Sequence, residues 1–467
     1  MKKRYLPWLL ILLPLIFVVG ACTPKTYTAP MQIHINPGDH VEQAAIAMDS
    51  HGISYITGVV NDRIIYYRTR YGPPMMTLTM TMAESGTDWK QYDPDIAVTD
   101  AGHAYLVWVE QRGSADKFAC WREVPFATDH PYYTTCRHLD GNNITTGLVR
   151  VVGRGSDVYA VYSRLDPVDN HITILYDRLT GFDGGVVVDY SDNGEKGHIY
   201  NLDLGIDSSG KLHIVCVDND GLDFLNPPRL WYRSNAHTDS SDNMIQVWDL
   251  RGGTTLIKDI LPSISFYRNY GVERVVFATV WRPFGGSTPD YIFLDQCTAS
   301  DCAQKIDEEY VRLGGGWTTH SVIDDVNLSG VDTRLFLSFI GDNDTSGPEH
   351  IFYKADPYDD DAPFKMSSSL TIKYDLEMLI LERREGSIFT VPFPVMVWAE
   401  SNLASIQYIV KDPLDRMTIV QDTTCLTSVP AGEIATNGIY FAGVWESCKN
   451  TWFSTQAHLN NLPLILK

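Results

Sequence analysis

Apolar residues in this chain fall in short runs cut by clusters of Asp, Gly, Asn and Ser, and no long stretch repeats with a helical period. The clearest stretch is Pro94 to Arg122. Its pattern predicts a strand over 96–99, a tight turn at Asp100-Ala-Gly102, a strand over 104–110 and a third strand over 118–122. Asp supplies a local acceptor in such a turn and Gly a positive φ. The turn recurs as Asp49-Ser-His-Gly52 and Asp207-Ser-Ser-Gly210.

The phrase itself recurs along the chain. Third strands carry an aromatic, often followed by a base: Tyr67, Trp121, Tyr176, Tyr232, Tyr291, Tyr353, Tyr408 and Trp452, about 44–62 residues apart. The strand before each is an apolar run with little alternation, as expected of strands covered on both faces. Such eightfold repetition predicts an all-β chain folded as a β-propeller of eight four-stranded blades, with seven as the alternative count. Fourth strands are expected near 75–82, 132–136, 186–190, 244–250, 310–313, 368–373 and 417–421. The eighth blade lacks one after Trp452, and Met31–Asn36 is expected to supply it, closing the ring without a free edge. A multi-domain β-sandwich protein is the competing fold, but one phrase over most of the chain speaks against it.

The N-terminus reads differently. Lys2, Lys3 and Arg4 precede an apolar run, Leu6 to Val19, that is short for a membrane span and is broken by Pro7 and Pro14. It ends in Val19-Gly20-Ala21-Cys22, which resembles the bacterial lipobox, where the cysteine is acylated and becomes the new N-terminus. The resemblance implies a signal peptide over 1–22 and a membrane anchor at Cys22. The expected layout continues with a tether over 23–30, the propeller over 31–460 and an apolar tail over 461–467.

The formal net charge is −21, and removing Lys2, Lys3 and Arg4 takes it to about −24. So acidic a surface argues against nucleic acid and anionic lipid as partners and is compatible with cations, basic proteins or neutral glycans. Of the eight cysteines, three local pairs are expected: Cys120–Cys136, Cys297–Cys302 and Cys425–Cys448. Cys216 lies in an apolar run and reads as a buried thiol. That usage fits an oxidising compartment, and no pair has the spacing of a zinc site.

The repeat resembles those of sialidase-like propellers, including the Asp-box group, over roughly residues 43–456. Its Asp-box survives only in degraded forms, Glu84-Ser-Gly-Thr-Asp-Trp89 and Gly314-Gly-Gly-Trp317-Thr. The resemblance would imply a carboxylate-binding arginine triad, but the family's Arg-Ile-Pro segment is absent. Arg68, Arg122, Arg178 and Arg233 recur at one repeat position and are read as structural; Arg150, Arg164, Arg274, Arg282 and Arg334 do not recur and remain triad candidates. Asp218, Asp220 and Asp223, and Asp342 with Asp344, resemble oxygen-rich calcium loops, although turns favour the same residues. Trp108, Trp281, Trp398 and Trp445 read as core, while Tyr92, Tyr132, Tyr133 and Tyr358 are candidates to stack on a sugar or peptide. His103, His213 and His350 lack metal-ligand spacing. The expected function is a lipid-anchored, cell-surface propeller that binds a protein or glycan, with no catalytic residues assigned. A sialidase-like glycoside hydrolase and a structural envelope protein are the alternatives.

Overall fold

The computed structural model describes residues 26–27, 31–33, 42–69, 75–79, 90–113, 116–124, 137–139, 145, 147–165, 172–181, 184–189, 199–218, 229–238, 244–251, 255–257, 262–283, 290–300, 307–311, 313, 322–342, 349–367, 372–385, 389–401, 406–411, 420–423, 432–436, 441–447 and 450–457. Among these residues the chain is all-β and forms eight separate antiparallel sheets. Sheet 1 takes residues 42–79, sheet 2 residues 90–138, sheet 3 residues 149–189 and sheet 4 residues 199–251. Sheet 5 takes residues 255–310, sheet 6 residues 322–365 and sheet 7 residues 372–423. Sheet 8 combines Gly432–Thr436, Phe441–Ser447 and Asn450–Ala457 with two N-terminal strands, Thr26–Tyr27 and Met31–Ile33.

Within sheets 1 to 4, 6 and 7 the four strands pair in chain order. In sheet 5 the place of the first strand is shared by Thr255–Ile257 and Ser263–Asn269, both paired with Val272–Pro283. The first strands pack on one another from sheet to sheet: Glu42–Met48 on Lys90–Val98, then Val149–Arg154, Ile199–Ile206, Ser263–Asn269, Val322–Val331 and Ile372–Glu385. Gly432–Thr436 packs on Ile372–Glu385 and also on Glu42–Met48, so the series returns to its start. This is a propeller-like arrangement of four-stranded sheets.

The core lies between sheets. Trp108 and Leu106 of sheet 2 meet Tyr55, Ile64 and Tyr66 of sheet 1. Phe339 and Leu337 of sheet 6 meet Val280 and Leu294 of sheet 5, and Ala435 of sheet 8 joins Ile46, Met48 and Ile56 of sheet 1. Trp108 and Trp398 are fully buried; burial of one large apolar side chain contributes about 1.5–3 kcal/mol. Second strands such as Ser54–Val60 are buried at every position, which accounts for their lack of alternation.

Hairpins joining first to second strands cluster at one end of the assembly, the tip face. The Ser50 hydroxyl donates to the Asp100 carbonyl at 2.9 Å, and the Asp100 N–H donates to the Gly155 carbonyl at 2.7 Å. Arg154 donates to the Ile206 carbonyl at 2.7 Å, the Ser208 N–H to Glu273 at 2.8 Å, and the Arg268 N–H to the Asp332 carbonyl. Among the described residues, the second-to-third-strand hairpin at Asn61–Asp62 lies at the opposite end, the far face.

Several strand boundaries differ from expectation. The fourth strand of sheet 6 is Phe364–Lys365, while residues 368–373 lead into the first strand of sheet 7, Ile372–Glu385. Residues 368–371 of the expected strand lie outside the described residues. In sheet 2 the fourth strand is Arg137–His138, just after the expected segment. Pairing at the N-terminus begins at Thr26–Tyr27, inside the segment expected to be a tether.

Candidate functional site

Turn aspartates hold the tip face together. Asp49 Oδ1 accepts the His51 and Ile53 N–H groups, each at 2.9 Å, and Oδ2 accepts the Tyr55 hydroxyl at 2.9 Å. The same hydroxyl lies 3.2 Å from the Gly102 carbonyl of the next sheet, and Tyr159 reaches the Gly210 carbonyl in the same way at 2.9 Å. In sheet 4 a histidine takes the tyrosine's place. Asp207 Oδ1 accepts the Ser209 and Lys211 N–H groups at 2.9 and 2.8 Å, and Oδ2 lies 3.3 Å from His213 Nε2. His213 Nδ1 lies 2.6 Å from the Tyr232 hydroxyl.

Burial opposes the charge on Asp207, but hydrogen bonds from His213, Lys211 and Ser209 outweigh it and hold the carboxyl at about 2. Burial pushes His213 below its usual value despite Asp207, and pushes Tyr232 up. The consistent state is an ionised Asp207 facing a neutral His213, whose Nδ1 accepts a hydrogen bond from the Tyr232 hydroxyl. All three side chains are buried, so the relay is a structural clip.

The recurring arginines serve the sheets as well. Arg178 forms an ion pair with Asp157, and Arg233 donates to the Met244 carbonyl at 2.9 Å with its guanidinium 5.2 Å over the Trp231 ring. Arg122 is buried, and the charge of Arg68 bears on Tyr66. The non-recurring arginines divide between the two ends. Arg274 and Arg334 sit just past tip-face hairpins, and Arg274 lies 3.2 Å from Thr298 Oγ1. Arg150 and Arg164 sit at the far ends of their strands, where Arg150 meets Asp93 at 3.0 Å. The side chain of Arg282 lies outside the described residues.

Carboxylates gather along the wall of first strands. Asp95 accepts the Val151 N–H at 2.9 Å, Asp203 the Ile264 N–H at 2.8 Å, and Asp325 the Leu376 N–H at 3.1 Å, each across to the next sheet. Burial pushes Asp203 up to about 6 and raises Asp95, with Arg150 pulling Asp95 the other way. Between sheets 6 and 7 these groups thicken into a cluster. Glu349 is hydrogen-bonded to Asp324, and the Lys373 N–H lies 3.3 Å from Glu349 Oε2. Lys373 Nζ lies 3.8 Å from Glu400 Oε1, which also accepts the Trp398 indole N–H at 2.9 Å. Burial first, then the neighbouring Asp324, raises Glu349, while the Lys373 N–H opposes the rise. Burial lowers Lys373, with Glu400 and Glu349 opposing. The cluster lies at the far-face end and offers acceptors for hydroxyl or ammonium groups.

A second cluster, in sheet 2, brings ligand-type atoms of Glu110, Cys120 and His138 within 4.8 Å of one another. Its cation is internal: Arg112 Nη2 lies 3.1 Å from Glu110 Oε1 and 3.0 Å from His138 Nε2. Cys120 and Cys297 are both buried, and Cys216 is a buried thiol. Cys22, Cys136, Cys302, Cys425 and Cys448 lie outside the described residues, as do Asp220, Asp223 and Asp344 of the calcium candidates. Asp218 and Asp342 end second strands. Of the candidate stacking tyrosines, Tyr92 and Tyr358 are half-buried, and Tyr132 and Tyr133 lie outside the described residues. His103 meets Glu123 at 2.7 Å and His350 is buried. Among the described residues the exposed aromatics are others, Tyr270, Tyr310 and Phe364.

No family model matches the chain, and no curated protein matches it. Among solved structures it is similar to one from a study of two prolyl endopeptidases, with a TM-score of 0.50 and 10% identity over 88% of this chain and 55% of that one. The chain thus spans just over half the length of that structure, and the likeness bears on the fold alone. It is similar also to the Dos1 propeller, at a TM-score of 0.45 and 9% identity over 94% and 95% of the two chains. The Hadza microbial sialidase Hz136 matches at a TM-score of 0.37 and 11% identity over 68% of this chain and 65% of that one.

Proposed function

We propose that this chain is a lipid-anchored, extracytoplasmic binding protein. In this reading the eight sheets are the blades of one propeller, closed in sheet 8 by the N-terminal strands, and acylated Cys22 holds it to a membrane. The ligand is a protein or a glycan that meets the far-face end of the ring, where the Asp324–Glu349–Lys373 cluster offers acceptors.

The observation that supports binding over catalysis is the division of the arginines. Three guanidinium groups that grip one carboxylate must converge, whereas Arg150 and Arg164 stand at one end of their strands and Arg274 and Arg334 at the other. A glycosidase acid and nucleophile also stand roughly 5–10 Å apart, while Asp324 and Glu349 are in direct hydrogen-bond contact.

The test is an assay of purified protein lacking residues 1–22 on a 4-methylumbelliferyl sialoside, followed by a glycan and peptide array. The expected result is no fluorophore release and array binding that weakens on Glu349→Gln. Turnover above the blank that disappears on changing Arg274 or Arg334 would replace this reading with the hydrolase.

A further inference from the structure

We infer that the tip face is a membrane-docking surface, with Tyr270 seated in the headgroup region of a phospholipid bilayer. The inference rests on the lipid-anchor reading and extends it to an orientation.

Where the anchored segment leaves the fold is fixed by register. Thr26 pairs with Ala457 and Tyr27 with Gln456, whereas Ile33 pairs with Thr451. In the same sheet Ala442 pairs with Thr455, next to the hairpin that joins Thr436 to Phe441. Thr26 therefore lies at the end that carries the first-to-second-strand hairpins. That end coincides with the tip face of sheet 1, because Ala435 packs with Met48. Cys22 precedes Thr26 by four residues, a reach of at most roughly 14 Å for an extended chain. An acyl group on Cys22 thus enters the bilayer on the tip side.

On that face, the sheet 5 hairpin differs from those of sheets 1, 2 and 4. The tips of sheets 1, 2 and 4 carry Asp-Ser-His-Gly, Asp-Ala-Gly and Asp-Ser-Ser-Gly. Sheet 5 carries Asn269-Tyr270-Gly271, with Tyr270 99% exposed and at φ 50°. A bulky aromatic in the left-handed region costs stability and gains nothing from burial within this chain. Val272 beside it is 42% exposed. Arg268 is exposed on the same strand end, and Arg334 is exposed at the neighbouring tip, joined through the Arg268 N–H and the Asp332 carbonyl. A tyrosine flanked by guanidinium groups suits a phospholipid interface, where the ring sits at headgroup depth and arginine meets phosphate. Asp100, Asp332 and Asp356 are exposed on the tip side as well, so docking is local to the sheet 5–6 tips.

The test uses full-length, acylated protein in phosphatidylcholine vesicles. A nitroxide is placed at Tyr270→Cys, at Val272→Cys as a second tip site, and at Arg63→Cys on the far face. Power-saturation measurements compare collisions with oxygen and with a water-soluble nickel complex. The expected oxygen-to-nickel ratio is about threefold or more higher at the tip sites than at residue 63. Two results overturn the inference and tell the readings apart. If the protein floats with vesicles but both tip labels are as aqueous as residue 63, the orientation is wrong and the anchor stands. If the protein with Cys22 intact fails to float, the anchor falls and the orientation with it.

Discussion

Gly330 measures how tightly adjoining sheets are drawn together. An alanine there would place Cβ 2.1 Å from the Phe266 carbonyl oxygen and 2.8 Å from its carbon, both backbone atoms of the neighbouring sheet. No side chain can swing away, so the strands Ser263–Asn269 and Val322–Val331 must part by roughly 1 Å. Two bonds span that seam, from the Leu328 N–H to Ser263 Oγ at 2.9 Å and from the Gly330 N–H to Ser265 Oγ at 2.7 Å. Overpacking costs about 1–3 kcal/mol, and each weakened bond adds about 0.5–1.5 kcal/mol. Lower entropy of the unfolded chain returns about 0.4–1 kcal/mol. The expected net loss for Gly330→Ala is about 2–4 kcal/mol, read as a lowered urea midpoint by tryptophan fluorescence. Gly205→Ala is the comparison. Its Cβ would meet the Phe266 ring edge at 2.4 Å, which a ring displacement relieves in part, so its loss should be smaller. A Gly330→Ala protein within about 0.5 kcal/mol of the parent would refute the close approach of sheets 5 and 6.

Two further outcomes are expected. Non-reducing peptide mapping should recover Cys120–Cys136, Cys297–Cys302 and Cys425–Cys448; a link between different sheets would break the assignment. Asp203 should make the fold less stable as pH rises from about 4 to about 6, because burial favours its protonated form only in the folded chain. Asp203→Asn should flatten the urea midpoint over that window, and an unchanged slope would place the titration elsewhere.

The sequence-level reading succeeded where each unit carries its own signal. Second strands are apolar throughout and third strands carry an aromatic, so both recur visibly, and Met31–Ile33 pairs with Asn450–Ala457. Fourth strands were harder to place, because some are only two residues long, as at Arg137–His138 and Phe364–Lys365, and carry little pattern. The strand Phe389–Ser401 holds two prolines and pairs along its whole length with a fourteen-residue first strand, against the usual bias. The clusters were invisible for a different reason. Asp324, Glu349, Lys373 and Glu400 come from two sheets, and nothing within one repeat announces that they meet. Glu110 and Arg112 did leave a trace, since two charged residues spaced by two on a strand share a face.

The sheet that takes strands from both ends of the chain sets a timetable for assembly. Sheets 1 to 7 each close on contiguous sequence and can form as soon as that sequence is available. Sheet 8 must bring Thr26 to Ala457, a loop of roughly 400 residues whose closure costs about 5 kcal/mol of chain entropy. Until that happens, the Gly432–Thr436 side of the molecule is unlatched and the first strand of sheet 1 lacks its neighbour. Registration of two short segments, Thr26–Tyr27 and Met31–Ile33, therefore waits on Asn450–Ala457. Truncation that removes either end leaves a chain with most of its secondary structure, an open seam, and a short lifetime against proteases.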